Sequence, residues 1–159
     1  MDFKKLREIT RIALIVTIVC TLAFIFTQSM LSQETSSAES DAVGDIVAEI
    51  IPPETPPGEY VQNNLRKIGH FVEFAILGAE VALYAIFFLK RYLYVVYALV
   101  LSPIVALLDE TIQIFSGRGP MIVDVWIDVW GFSSSFVVIY VIYFAAKAIL
   151  KERKQKKNG

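Results

Sequence analysis

Ten polar side chains interrupt otherwise apolar stretches of this chain: Arg66, Lys67, His70, Glu73, Asp109, Glu110, Gln113, Arg118, Asp124 and Asp128. A histidine beside carboxylates can take up or pass on a proton, and imidazole with carboxylates can ligate a divalent cation. Guanidinium and ammonium groups can grip phosphate or carboxylate. The spacing favours assembly. Positions 66, 70, 73 and 77 share one helical face, so Arg66, His70 and Glu73 stack on it, and Asp109 with Gln113 and Asp124 with Asp128 are each four residues apart.

An ionisable residue inside a membrane span costs about 2.5 to 3.5 kcal/mol on insertion scales. Glu73, Asp109, Glu110, Asp124 and Asp128 therefore cannot face lipid singly, and must point inward and be paired. Their positive partners are Arg66, Lys67 and Arg118, with His70 able to add a charge. The acids still outnumber them, so either some carboxylates hold protons or a cation binds. The blander alternatives are an interhelical ion pair of Arg118 with Asp124 or Asp128, a helix end at Asp109-Glu110, and a packing role for His70. Glu80 lies off the shared face and reads as a buried, protonated or hydrogen-bonded acid outside the site. Gly131 and Ser133 to Ser135 read as small residues for close helix packing, and Tyr92, Tyr94, Tyr97, Trp126 and Trp130 as interfacial anchors.

Apolar helices must position these groups. The 159 residues are 55% hydrophobic and 19% charged, more apolar than a soluble core of this size could bury. Stretches 9–27, 68–89, 92–115 and 122–146 are each long enough to cross about 30 Å of hydrocarbon at about 1.5 Å per residue. The expected fold is an all-α membrane protein, a four-transmembrane-helix bundle with a short amphipathic helix in the first outer loop, residues 28–67. That helix is expected over 40–51, capped at Ser40-Asp41, with Val43, Ile46, Val47 and Ile50 on one face, lying on the membrane surface or over the bundle as a lid. The proline-rich segment 52–58 then predicts an extended, mobile linker. Lys90-Arg91 makes a tight second turn and residues 116–120 a third, placed outside. By depth along their helices, Glu73, Asp109 and Asp128 all lie roughly 7 to 10 Å below the outer helix ends.

Residues 1–8 and 147–159 are basic, whereas 28–65 carry acids and no Lys or Arg, which places both termini in the cytoplasm of a multi-pass plasma-membrane protein. Segment 26–30 lacks a small-x-small cleavage pattern, so the first helix is expected to stay as an anchor. Cys20 is alone, which excludes a disulfide framework or thiol metal cluster, and the near-neutral net charge does not suggest nucleic-acid binding.

Three motifs in order resemble the VanZ-like family of small bacterial membrane proteins. Arg66-Lys67-Ile68-Gly69-His70-Phe71-Val72-Glu73-Phe74 is similar to its RKxxHFxEF pattern. Asp109-Glu110-Thr111-Ile112-Gln113 with Gly117-Arg118, then Asp124-Val125-Trp126-Ile127-Asp128-Val129-Trp130-Gly131, resemble its remaining elements, and Phe26-Thr27-Gln28-Ser29 its polar exit from the first helix. Ile112 stands where many members have histidine, Ser116 where proline is frequent, and Asp128 where asparagine is the other common choice. The resemblance, over about residues 10–146, implies a cell-envelope role, and the family's namesake is associated with resistance to the glycopeptide teicoplanin.

Three function classes fit these residues. In the first, the outer site binds a membrane lipid, a lipid-linked cell-wall molecule or a lipoglycopeptide, with Arg66, Lys67 and Arg118 on the anionic head group and Gln113, Asp124 and Asp128 completing the binding site. In the second, an intramembrane enzyme uses His70, Glu73, Asp109 and Glu110 as acid and base, with a divalent cation such as Mg²⁺ or Mn²⁺ as the one cofactor such carboxylates would take. A proton-coupled carrier is the third, disfavoured by four helices without a deep inner acid cluster.

Overall fold

A computed structural model describes residues 2–89, 91–117 and 121–158, apart from the side chains of 91, 92, 94, 95, 97–99, 157 and 158. Lys90 of the expected second turn and Arg118 to Pro120 of the third lie outside the described residues, as do the side chains of Tyr92, Tyr94 and Tyr97. The described chain is all helical: α1 (Phe3–Met30), α2 (Gln33–Ala48), α3 (Pro56–Phe88), α4 (Arg91–Phe115) and α5 (Ile122–Asn158).

Local chemistry sets the boundaries. The Asp2 carboxylate accepts from Lys4 N and starts α1. The expected helix over 40–51 is corrected at its start. Ser32 is the cap, its hydroxyl accepting from Thr35 N at 3.2 Å, and α2 begins at Gln33, through a polar run that gives no amphipathic signal. The linker expectation is also corrected, because α3 begins at Pro56. Thr55 caps it by accepting from Gly58 N at 3.2 Å, and Pro56 and Pro57 sit in the first turn, where backbone N–H groups have no intrahelical acceptor to lose. Gly58 is needed there, since a Cβ would collide with the Pro52 carbonyl.

Three helices, Phe3–Met30, Pro56–Phe88 and Ile122–Lys156, are long and apolar enough to cross a membrane, so three of the four expected spans are met among the described residues. Their outward faces are apolar, with Ile12, Val19, Phe24, Val137 and Val141 all exposed. A water-soluble protein does not leave such a band uncovered.

The core lies between α3 and α5, which share the most extensive helix contact, with α1 packed on α3 and α4. Phe74, Leu77, Ala82, Ala85, Ala106, Phe132 and Ile25 are fully buried in it. The two long helices touch backbone to backbone: a Cβ on Gly78 would collide with the Phe132 carbonyl, and one on Gly131 with the Phe71 carbonyl. Because 71 meets 131 and 78 meets 132, α3 and α5 run parallel. α1 runs against them, with Arg7 over the Phe88 ring at one end and the Thr21 hydroxyl donating to Glu80 at 3.1 Å further along.

Candidate functional site

The Gly131 and Phe71 contact decides which polar groups meet. His70 precedes Phe71, and Asp128 lies three residues before Gly131, so the close crossing sets both at one level. His70 Nδ1 stands 3.7 Å from Asp128 Oδ1 and 3.8 Å from Asp109 Oδ2, the latter from α4. These are ion-pair distances, too long for hydrogen bonds. One ligand atom from each of the three buried residues lies within 4.8 Å of the others.

A chain of side chains holds this centre. Asp109 Oδ1 accepts from Ser29 of α1, and Asp109 Oδ2 from Gln113 Nε2 at 2.7 Å, the four-residue spacing at work. Gln113 Oε1 in turn accepts from Arg66 Nη2 at 2.9 Å, and Arg66 Nη2 lies 3.9 Å from Asp124 Oδ2. Four of the five helices, all but α2, thereby contribute. The carboxylate of Asp128 is the exception: the residue is 1% exposed, and neither oxygen has a hydrogen-bond partner among the described residues.

Glu110 is buried and accepts from Met121 N, bracing the start of α5. Glu73 is half-buried and lines a cavity with His70. Lys67 is half-buried and makes no ion pair among the described residues, and Arg118 lies outside them. Glu80 is hydrogen-bonded to Thr21, away from the cluster.

That cavity, of about 150 Å³, opens between α3, α2 and the end of α1, bounded by Gln28, Ser36, Glu39, Arg66, His70 and Glu73. Sequence reading missed Ser29, Ser36 and Glu39 as site residues. The one available signal was Gln28-Ser29, an abrupt polar pair closing an apolar run. Chemically, the arrangement offers a guanidinium and an imidazole at the cavity wall, with the buried carboxylates of Asp109 and Asp128 beside the imidazole.

Long apolar helices wrapped around a buried polar cluster define an all-helical integral membrane protein. Within that class the chain belongs to the VanZ/LLP1 family, whose sequence profile matches residues 14–145. Every described residue of the site falls inside the matched segment. No curated protein and no solved structure matches the chain.

Proposed function

We propose that α4 joins α1, α3 and α5 as a fourth span, in a plasma-membrane protein with both termini cytoplasmic. On this reading the polar cluster lies at the outer side, where it binds the anionic head group of a membrane lipid or lipid-linked cell-wall molecule. The 25 residues of α4 extend about 37 Å, enough for the hydrocarbon layer. Pro103 inside α4 is compatible with a span, because neighbouring helices can satisfy the carbonyl it releases. The basic ends and the acidic segment between α1 and α3 support the orientation.

The observation that carries the reading is the cavity beneath α2. It brings His70 and Glu73 together with Arg66, whose buried Nε has no hydrogen-bond partner among the described residues. A guanidinium with an uncommitted N–H suits a phosphate or carboxylate oxygen, while a lipid tail remains against the apolar helix faces. Protection against a lipoglycopeptide of the teicoplanin type would follow from binding such an envelope molecule.

Two measurements test this. The full chain, purified in mild detergent, is offered phosphatidylglycerol or a polyprenyl diphosphate and weighed intact by mass spectrometry. Wild type should retain one of them, with Arg66→Ala retaining about tenfold less; equal retention would refute the head-group reading. In a teicoplanin-sensitive host, protection by wild type and its loss in Arg66→Ala would extend the reading to resistance, and no protection by wild type would remove that part.

The second reading is an intramembrane enzyme using His70 with Asp109, Glu73 or Glu110 as acid and base. The contact of His70 with two carboxylates favours it. Release of a water-soluble head group from bound lipid would favour this reading over simple binding.

A further inference from the structure

We propose that His70, Asp109 and Asp128 bind one first-row divalent cation, of the Zn²⁺ or Mn²⁺ type, at the floor of the outer cavity. The cation's role deepens the head-group reading and rests on it; its binding does not.

Donor geometry is the first support. Ligands held at about 2.0 to 2.2 Å around one ion stand roughly 3 to 3.5 Å apart at tetrahedral or octahedral angles. The spacings from His70 Nδ1 are 3.7 and 3.8 Å and all three donors lie within 4.8 Å of one another, so an inward shift of the side chains would bring them into range. The three residues come from the helices α3, α4 and α5 rather than from loops, and α3 and α5 touch backbone to backbone.

Asp128 supplies an independent observation. A carboxylate removed from water is costly unless hydrogen-bonded or paired. Its residue is 1% exposed, neither oxygen is hydrogen-bonded among the described residues, and Oδ1 points at His70. A cation between Asp128, Asp109 and His70 would satisfy it. Asp109 is prepared for the same role, since Ser29 and Gln113 fix its orientation and each carboxylate oxygen keeps acceptor capacity.

Charge points the same way. Asp109, Glu110, Asp124 and Asp128 are all buried here, and Arg66 is the one lysine or arginine in an ion pair with them among the described residues. A divalent ion would offset the remainder, so that the buried acids behind His70 would no longer repel an anionic head group in the cavity. One imidazole nitrogen with two carboxylates suits Zn²⁺ or Mn²⁺ better than Ca²⁺, which takes six to eight oxygens, or Mg²⁺, which keeps an oxygen-only, largely hydrated shell. His70 also lines the cavity, so an ion held on its ring would lie beside that space.

The test uses the full chain in detergent, purified without a polyhistidine tag, stripped with chelator, and dialysed against Zn²⁺ or Mn²⁺ with bound metal counted by elemental analysis. Wild type should take up about one equivalent of Zn²⁺ or Mn²⁺ per chain. Affinity should fall at least about tenfold in Asp128→Asn and His70→Ala and stay unchanged in Glu80→Gln. Substoichiometric uptake of both ions by wild type would overturn the proposal without reliance on any variant's folding, and so would undiminished uptake by Asp128→Asn or a site filled by Ca²⁺ or Mg²⁺ alone. Lipid retained without metal would sink the cation alone; metal bound without lipid would sink the head-group reading alone.

Discussion

The same two helices, α3 and α5, are built differently along their shared seam. From Gly131 toward the C-terminal ends, Phe74, Leu77, Ala82, Phe132 and Phe136 fill the space, and Gly78 lets the backbones touch. Toward the N-terminal ends the seam holds His70, Asp124 and Asp128, and part of their hydrogen-bonding capacity is unmet by described residues. Apolar residues of similar volume in place of a buried ionic cluster are often neutral or stabilising. The seam therefore pairs a segment that supports the fold with one that taxes it, and the proposed binding site lies at the second.

Breaking the apolar segment should have the largest effect. Phe132→Ala should destabilise the detergent-solubilised protein by about 3 to 5 kcal/mol, measured as a lowered unfolding temperature or denaturant midpoint. The polar segment should respond with opposite sign. In chelator, Asp128→Asn should raise stability by about 1 to 2 kcal/mol, because it removes an ionisable group held out of water without a hydrogen bond. A drop of similar size would mean that Asp128 supports the fold, and the contrast between the two segments would fail. The smallest effect is expected above the seam. Gln62 Nε2 donates to the Gly44 carbonyl at 2.9 Å and ties α2 to α3, so Gln62→Ala should cost about 1 kcal/mol and appear as faster amide exchange confined to α2.

Much of this contrast could be read from the chain itself, because a membrane helix gives each polar residue a depth and an azimuth. The four-residue spacing put Asp109 and Gln113 on one face, where the two side chains bond, and the depth count set acids of α4 and α5 at one level. The same count matched Glu73 with Asp109 and Asp128, whereas His70, one turn nearer the N-terminus, is the residue between them. Register between neighbouring helices is set by where Gly131 meets Phe71, a contact that no single-helix count contains. Ser29 was hidden for a related reason. The rotation of α1 about its own axis follows from packing on α3 and α4, and a serine at a helix end looks interfacial until that rotation is known. The N-terminus of α2 was obscured because Gln33 to Ser40 is polar all round, leaving no periodicity to mark a helix.

Between Met30 and Gln33 only Leu31 and Ser32 join α1 to α2. The three Cα–Cα steps from Met30 to Gln33 reach at most about 11 Å, so the near end of α2 is tethered close to the bundle, while Gln62 pins it further along. α2 is therefore an eave rather than a hinged door, with Ile46, and Ile50 just past its end, exposed along the rim. In the membrane orientation proposed above, a guest reaches His70 by sliding sideways beneath that rim from the outer leaflet. Selection would then begin in two dimensions, among molecules already dissolved in lipid, before any polar contact is made.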